Sequence, residues 1–326
     1  MKKPKLYYRE QDYPCFNLAW VRPWVDQHFD MVLWCPESRL RSEDTVLTVY
    51  QREFEADAWY RPLEQAGHRI LVDHLWDSDT DTEHRLISDR KLELRSPHWS
   101  WYSSVLHDHS QGYDQWSRQP EWSWDLLCLM NKQRPHRDCV ARYLTRHQPR
   151  ARWSYVERGR SIGDDSERSG SVYWCFYNSA EWYNSTPWSL VVESWMRGNA
   201  WFAAPEYPNY RTEISEKSYK PLAYWHPAVT VGSEGTLRFL RSEGFETWDN
   251  LWDESYDAIA SDEDRLTAVL ELVTQVTRDR GPAQDWDRET LARLAHNRAR
   301  YWDLDLVHSR FVREIMEPVQ EFVCRT

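Results

Sequence analysis

From residue 122 onward, short apolar runs alternate with stretches of helical spacing. Residues 122–130 (WSWDLLCLM) read as a strand and 131–137 (NKQRPHR) as a basic turn. Residues 138–147 carry Val140, Tyr143 and Leu144 at helical spacing, and 151–156 (ARWSYV) return as a strand. Further on, 171–177 and 189–192 are apolar runs separated by a mostly polar stretch. A helix opens at Ser215, with Tyr219, Leu222 and Ala223 on its inner face. A buried-type strand follows at 227–232 (PAVTVG), then a helix from Gly235 through Leu237 and Leu240 to Gly244. Strand and helix in this alternation predict an α/β fold with a parallel sheet.

The first half carries the same rhythm less regularly. Strands are expected at 5–8, 29–34, 45–50, 68–75 and 92–94. Helices are expected at 16–27, at 53–65 (Phe54, Trp59, Leu63) and over the aromatic segment 99–106. His107-Asp108-His109 then falls in a polar loop, and 110–121 reads as a linker. From Trp286 on, Leu291, Leu294, Leu304, Val307, Phe311, Ile315 and Phe322 space out amphipathic helices. The expected division is therefore 1–115, 116–285 and a C-terminal helical stretch, 286–326, that packs across the two domains or makes a dimer contact.

Composition narrows the partners. The formal net charge is -11, from 52 acidic and 41 basic residues. That disfavours nonspecific nucleic-acid binding, which depends on phosphate neutralisation, though Arg134, Arg137, Arg142, Arg146, Arg150 and Arg152 form a local basic cluster. The 21 Trp and 18 Tyr serve equally to fill a core or to line a sugar or base site. Six cysteines show no C-x-x-C pair, and Cys15, Cys35, Cys128 and Cys175 lie in or near apolar runs. They are expected as buried thiols in a reducing, cytoplasmic compartment. No run of about 18 apolar residues exists, so no membrane span is expected.

Candidate chemistry gathers where elements hand over. Arg134 and Arg137 lie at the start of a helix, where guanidinium groups and free amides suit phosphate. Glu193 ends an apolar strand, in the position from which a carboxylate can accept hydrogen bonds from ribose hydroxyls; a solvated strand end is the alternative. Lys217 stands in the first turn of a helix, opposing its dipole, and an anion between the two would relieve that conflict. Gly232 and Gly235 permit a tight turn and close backbone approach. Asp73, Asp77, Asp79 and Asp81 follow a strand, as an acidic loop or as a source of one functional carboxylate. The His107-Asp108-His109 triplet lacks a fourth metal ligand, and no metal site is expected. No G-x-G-x-x-G, Walker loop, H-E-x-x-H or G-x-S-x-G occurs.

Taken together, these segments resemble nucleotide-sugar glycosyltransferases of the GT-B type, in particular the α-1,3-fucosyltransferase-like group. The counterparts are Glu193-Ser194, Ser215-Glu216-Lys217, residues 227–232, and Arg137 leading its helix. A set of uncharacterised bacterial and phage glycosyltransferase-like proteins is similar in more detail, through Arg134-Pro135-His136-Arg137, Glu216-Lys217 with Lys220-Pro221, residues 235–245 and 253–257. The likeness covers roughly residues 122–275. Ser215 stands where the fucosyltransferase group has threonine, and the Asn of its Glu-Asn-Ser motif is absent.

The resemblance implies a GT-B-like fold, with two Rossmann-like domains facing a cleft and C-terminal helices crossing back. It makes 1–115 the acceptor domain and 116–285 the donor domain. It implies a nucleotide-sugar substrate, GDP- or UDP-linked, and no permanently bound cofactor. The donor would be held by Arg134, Arg137, Glu193, Ser215, Glu216, Lys217, Lys220 and Gly232. Asp73 or Asp77, with Glu10 and Asp108 behind them, would act as general base. The acceptor would be a glycan, a lipid-linked sugar or a protein, with modified DNA bases a less favoured case. A non-catalytic carbohydrate- or nucleotide-binding relative is the alternative.

Overall fold

The computed structural model describes residues 3, 5–8, 22–33, 45–49, 65, 68–73, 85–88, 91–94, 96, 98–110, 112–117, 119–160, 162, 180–194, 196, 214–280 and 286–324. The chain divides into two compact units, Met1–Trp99 with Asp305–Thr326, and Ser100–Leu304.

The first unit contains a six-stranded sheet of Lys5–Tyr8 (β1), Asp30–Leu33 (β2), Thr45–Val49 (β3), Arg69–Asp73 (β4), Arg85–Ser88 (β5) and Lys91–Leu94 (β6), with Arg22–His28 (α1) before β2. Its order is β2-β1-β3-β4-β6-β5, parallel except for β5, which pairs antiparallel with β6 at one edge. Short β-branched and leucine-rich runs such as Thr45–Val49 make these strands, and Ile70, Leu71, Leu92 and Leu94 are buried. The C-terminal segment belongs to this unit. Arg69 donates to the carbonyl of Val323 and lies over the Phe322 ring, while His98 Nδ1 meets Glu314 Oε2 at 2.9 Å.

The second unit is Rossmann-like. Its sheet contains Leu126–Met130 (β7), Ala151–Tyr155 (β8), Ser189–Val192 (β9) and Ala228–Val231 (β10), ordered β10-β9-β7-β8 and parallel throughout. Every residue of β9 and β10 is buried, as expected where helices cover both faces. In chain order the helices of this unit are Trp99–Ser110 (α2, from its second residue on), Pro135–His147 (α3), Ala180–Asn184 (α4), Glu216–Ala223 (α5), Thr236–Ser242 (α6), Asp262–Arg280 (α7) and Arg288–Tyr301 (α8). Helices Leu304–Phe311 (α9) and Glu317–Cys324 (α10) follow, joined by a π-helical turn, Val312–Met316. Helix α3 packs against α7, and α5 against α8 and β9, while α7 also lies on β10.

Strand order places a switch point in this sheet. From β7 the chain passes through α3 to β8 on one side, then returns to β9 on the other. The crevice between β7 and β9 at their carboxyl ends is where open parallel sheets of this kind receive ligands. Met130, followed by Asn131, and Val192, followed by Glu193, end the two strands there.

Much of the aromatic content fills the core. Trp101 is fully buried, stacks on Tyr219 with centroids 6.0 Å apart and meets Phe245 edge-on at 5.0 Å. Tyr183 stacks on Tyr224 at 4.9 Å. The segment expected as a polar loop at 107–109 is instead the last part of α2, because Tyr102, Val105 and Leu106 give that helix a buried face. Asp108 is wholly buried and accepts hydrogen bonds from Tyr224 and Tyr301, each at 3.2 Å. The apolar run at 171–177 and most of the expected helix at 53–65 lie outside the described residues.

Candidate functional site

Helix α5 is the local organiser. Ser215 is its N-cap, accepting from the Lys217 amide. Its first turn is clamped by Glu193, one residue past the end of β9. Glu193 Oε1 accepts from the Ser218 hydroxyl at 2.6 Å and from the Ser215 amide at 3.1 Å. Oε2 accepts from the Ser215 hydroxyl and from the Ser194 amide. The carboxylate is fully buried and meets four donors. An anion beside free helix amides is favourable, and here the chain supplies it.

The cations follow from this. Lys217 Nζ lies 2.6 Å from Glu216 Oε1 and 3.2 Å from the hydroxyls of both Ser194 and Ser215. Burial works against the Lys217 charge, but Glu216 and Glu193 outweigh it and raise its pKa above the ordinary lysine range. Glu216 shows the mirror balance. Burial opposes its ionisation, yet Lys217 and Lys220 hold its carboxyl below the usual range. Sequence reasoning expected a ligand's phosphate between Lys217 and the helix start; within the chain, Lys217 meets Glu216 and two serine hydroxyls, and Glu193 caps the helix start.

Helix α3 brings in a second pair. Arg137 is buried, and its guanidinium donates to the carbonyls of Lys132 at 3.0 Å, Val192 at 3.2 Å and Glu193 at 2.9 Å. It ties the carboxyl ends of β7 and β9 together across the switch point. Burial lowers its pKa from the ordinary arginine value, with Glu193 opposing. His136 Nε2 also meets the Glu193 carbonyl, at 3.0 Å, and burial depresses this imidazole to about 4. A neutral ring must carry its proton on Nε2 to donate there, and Nδ1 is buried with no hydrogen-bond partner among the described residues. Arg134 is the N-cap of α3, with no side-chain cap bond; its Nη1 donates to the Gln133 carbonyl.

A pocket lies against the sheet beside α5, with about 720 Å³ of empty space that includes open solvent. Its floor is apolar, with Leu127, Leu129, Leu190 and Val191, and its wall is Trp182 and Tyr183. Glu216, Lys217 and Lys220 form its charged side, near Asn131 and Val192 at the strand ends. Ser189 lines the opposite end of β9; its hydroxyl is 2.9 Å from His226 Nδ1, whose Nε2 meets the Tyr183 carbonyl at 2.7 Å. This chain of bonds fixes the aromatic wall.

The sequence-predicted residues thus divide into two groups. Glu216, Lys217 and Lys220 line the pocket. Glu193, Ser215, Arg137 and Gly232 do not line it but fix the elements around it. A Cβ on Gly232 would stand 2.9 Å from the Thr236 hydroxyl and 3.5 Å from Glu193 Cγ, so the close approach there is to the chain itself. Gly235 has φ +80 and forms the tight turn. Asp73 ends β4 in the other unit, and Asp77 and Glu10 lie outside the described residues. The acidic run 253–257 is structural. Asp257 accepts from the Leu237 and Arg238 amides to cap α6, and Glu254 accepts from Thr247, Trp248 and Arg241.

Sequence reasoning missed Ser218, His136 and the Trp182–Tyr183 wall. Ser218 was detectable as the second serine on the same side of the helix start, three residues after Ser215.

No group of His, Cys, Asp or Glu among the described residues is arranged to hold a metal ion, and no helix among them is long and apolar enough to cross a membrane. Compared with known protein families and with curated proteins, the chain matches none.

Proposed function

We propose that the unit Ser100–Leu304 binds the nucleotide of an activated sugar and that the chain is a glycosyltransferase. It would move the sugar to an acceptor hydroxyl, with inversion and without a metal ion. The observation that carries this reading is the pocket at the β7–β9 switch point, apolar on its floor and cationic on its α5 side. A base and ribose suit the apolar and aromatic surfaces, and a diphosphate suits Lys217 and Lys220. These ammonium groups would stabilise the charge that grows on the diphosphate as the sugar departs. Arg137, Glu193, Ser215 and Gly232 would act by holding the strand ends and the helix start in register, and Arg134 would flank the entrance of α3. The GT-B resemblance of residues 122–275 supports the same reading and assigns the base to Asp73 or Asp77. The donor would be GDP- or UDP-linked, and the acceptor a glycan, lipid-linked sugar or protein.

A second reading, a nucleotide- or carbohydrate-binding protein without catalysis, is favoured by one observation. Asp108, the described carboxylate of the second unit considered as a base, is sealed in the core beneath two phenols.

Calorimetric titration with GDP and UDP, with and without Mg²⁺, separates these readings. The transferase reading expects a Kd below about 1 mM, roughly 4 kcal/mol, independent of Mg²⁺ and weakened at least about tenfold by Lys217→Ala. Absence of binding by the wild-type chain sinks both readings. Binding without transfer from any sugar nucleotide, unchanged by Asp73→Asn and Asp77→Asn, leaves the binding protein.

A further inference from the structure

The donor arithmetic of Lys217 leads beyond this reading while resting on it. An ammonium group has three hydrogens to donate. Those of Lys217 face the Glu216 carboxylate at 2.6 Å, the Ser194 hydroxyl at 3.2 Å and the Ser215 hydroxyl at 3.2 Å. All three are therefore engaged inside the protein. A ligand anion can reach Lys217 directly only if one of these acceptors gives way.

The three are not equally placed to do so. Ser215 is held as the N-cap of α5 and by Glu193. Ser194 does not line the pocket. Glu216 does line it. It is also the one acceptor of the three that bears a full negative charge, so a ligand anion entering beside it meets repulsion as well as competition.

We propose that Glu216 is an internal competitor for the pocket's anion site, occupying Lys217 when no ligand is present and yielding it to the phosphate groups of the ligand. The exchange is one carboxylate for one phosphate oxygen at the same ammonium, with no bond made or broken covalently. Its consequence is selectivity. Neutral sugars and nucleosides cannot displace a carboxylate from an ammonium, whereas a diphosphate can, because it brings more charge and keeps a second cation, Lys220, within the same pocket. Glu216 thus sets how much negative charge a ligand must carry to enter.

The test is binding of inorganic pyrophosphate, followed by calorimetry on the full chain at fixed ionic strength. Glu216→Gln removes the charge and keeps the shape. Expected is a tightening of pyrophosphate binding by about tenfold, the scale of one hydrogen bond from a charged donor freed for the ligand. Glu216→Ala is the companion variant, expected to shift affinity in the same direction, and thermal unfolding checks that each is folded. In the Lys217→Ala background, the gain from Glu216→Gln is expected to fall to about threefold or less, since only like-charge repulsion then remains. Pyrophosphate binding that is unchanged or weakened in both Glu216 variants overturns the proposal while leaving the anion site intact. Binding by neither the wild type nor the variants overturns the anion site itself, and with it the reading of the pocket. Gain that persists undiminished without Lys217 also overturns the proposal, because Glu216 would then act by repulsion alone.

Discussion

The hydroxyl of Ser218 donates to Glu193 Oε1 at 2.6 Å, joining the first turn of α5 to the end of β9. Glu193 thereby does the work of a bound anion at a helix N-terminus. It fixes where α5 starts, and so where the side chains of Glu216, Lys217 and Lys220 enter the pocket.

Removing that anion should loosen the whole corner. Ser218→Ala deletes one hydrogen bond to a charged group and is expected to cost about 1.5–3 kcal/mol. Glu193→Gln is expected to cost at least as much, because an amide nitrogen would face donors that now meet an oxygen. Urea denaturation at neutral pH, with an unchanged slope, measures both. A loss under about 0.5 kcal/mol for Glu193→Gln would place this clamp among ordinary surface contacts.

Arg137 offers a contrast between structural and ligand roles. Its guanidinium serves three carbonyls, from Lys132, Val192 and Glu193. Lysine has the charge without the planar fork and cannot span all three. Arg137→Lys should therefore lower stability by about 2 kcal/mol, the scale of losing hydrogen bonds from a charged donor. In the residual folded protein, nucleotide affinity should change less than in Lys217→Ala. Unfolding midpoints and nucleotide titrations, measured on the same samples, decide this. Undiminished stability with lost affinity would move Arg137 into direct contact with phosphate.

Much of the second unit was legible in the sequence, for a physical reason. Its strands are buried on both faces and so appear as uninterrupted runs such as Ser189–Val192 and Ala228–Val231, while α3 and α6 carry apolar residues at helical spacing. The basic turn, Glu193, the Ser215 cap and Lys217 were all recognisable as polar residues at element ends. Their partners were not. Whether a buried carboxylate faces a ribose or two serines depends on contacts 22 and 25 residues apart in the chain, which local pattern does not encode. The same limit hid the last turn of α2: His107-Asp108-His109 has the composition of a loop, and only the packing of Tyr102, Val105 and Leu106 carries the helix expected at 99–106 through it. The edge strand β5 and the five-residue α4 were too short to show a period.

Asp257 caps α6 from outside the helix. Its two oxygens accept from the Leu237 and Arg238 amides at 2.8 Å and 3.0 Å, and Gly235 supplies the turn at φ +80. Asp257→Ala removes both a cap and a charge that favours the helix dipole, with an expected cost of about 1–2 kcal/mol. Gly235→Ala is expected to be costly too, by about 1 kcal/mol or more, because a Cβ is strained at that φ. Since neither residue lines the pocket, nucleotide affinity in the folded variants should stay within about twofold of wild type. Denaturation curves and nucleotide titrations together test this. A larger loss of affinity at unchanged stability would bring the 253–257 run into the site.

His136 predicts a pH dependence with a definite sign. Burial depresses its folded-state value to about 4 from the ordinary 6.5. Between these values the unfolded chain holds a proton that the folded chain does not, so stability rises with pH there. The contribution is fully present above about 6.5 and is lost as pH falls through about 4, amounting to roughly 3 kcal/mol at the scale of 1.36 kcal/mol per unit. His136→Gln keeps a side-chain nitrogen donor for the Glu193 carbonyl and has no such titration. Wild type should therefore lose about 2 kcal/mol more than His136→Gln between pH 7 and pH 5, by denaturant unfolding at each pH. Parallel losses in the two proteins would mean that the imidazole reaches a proton-stabilising partner in the folded state and titrates normally.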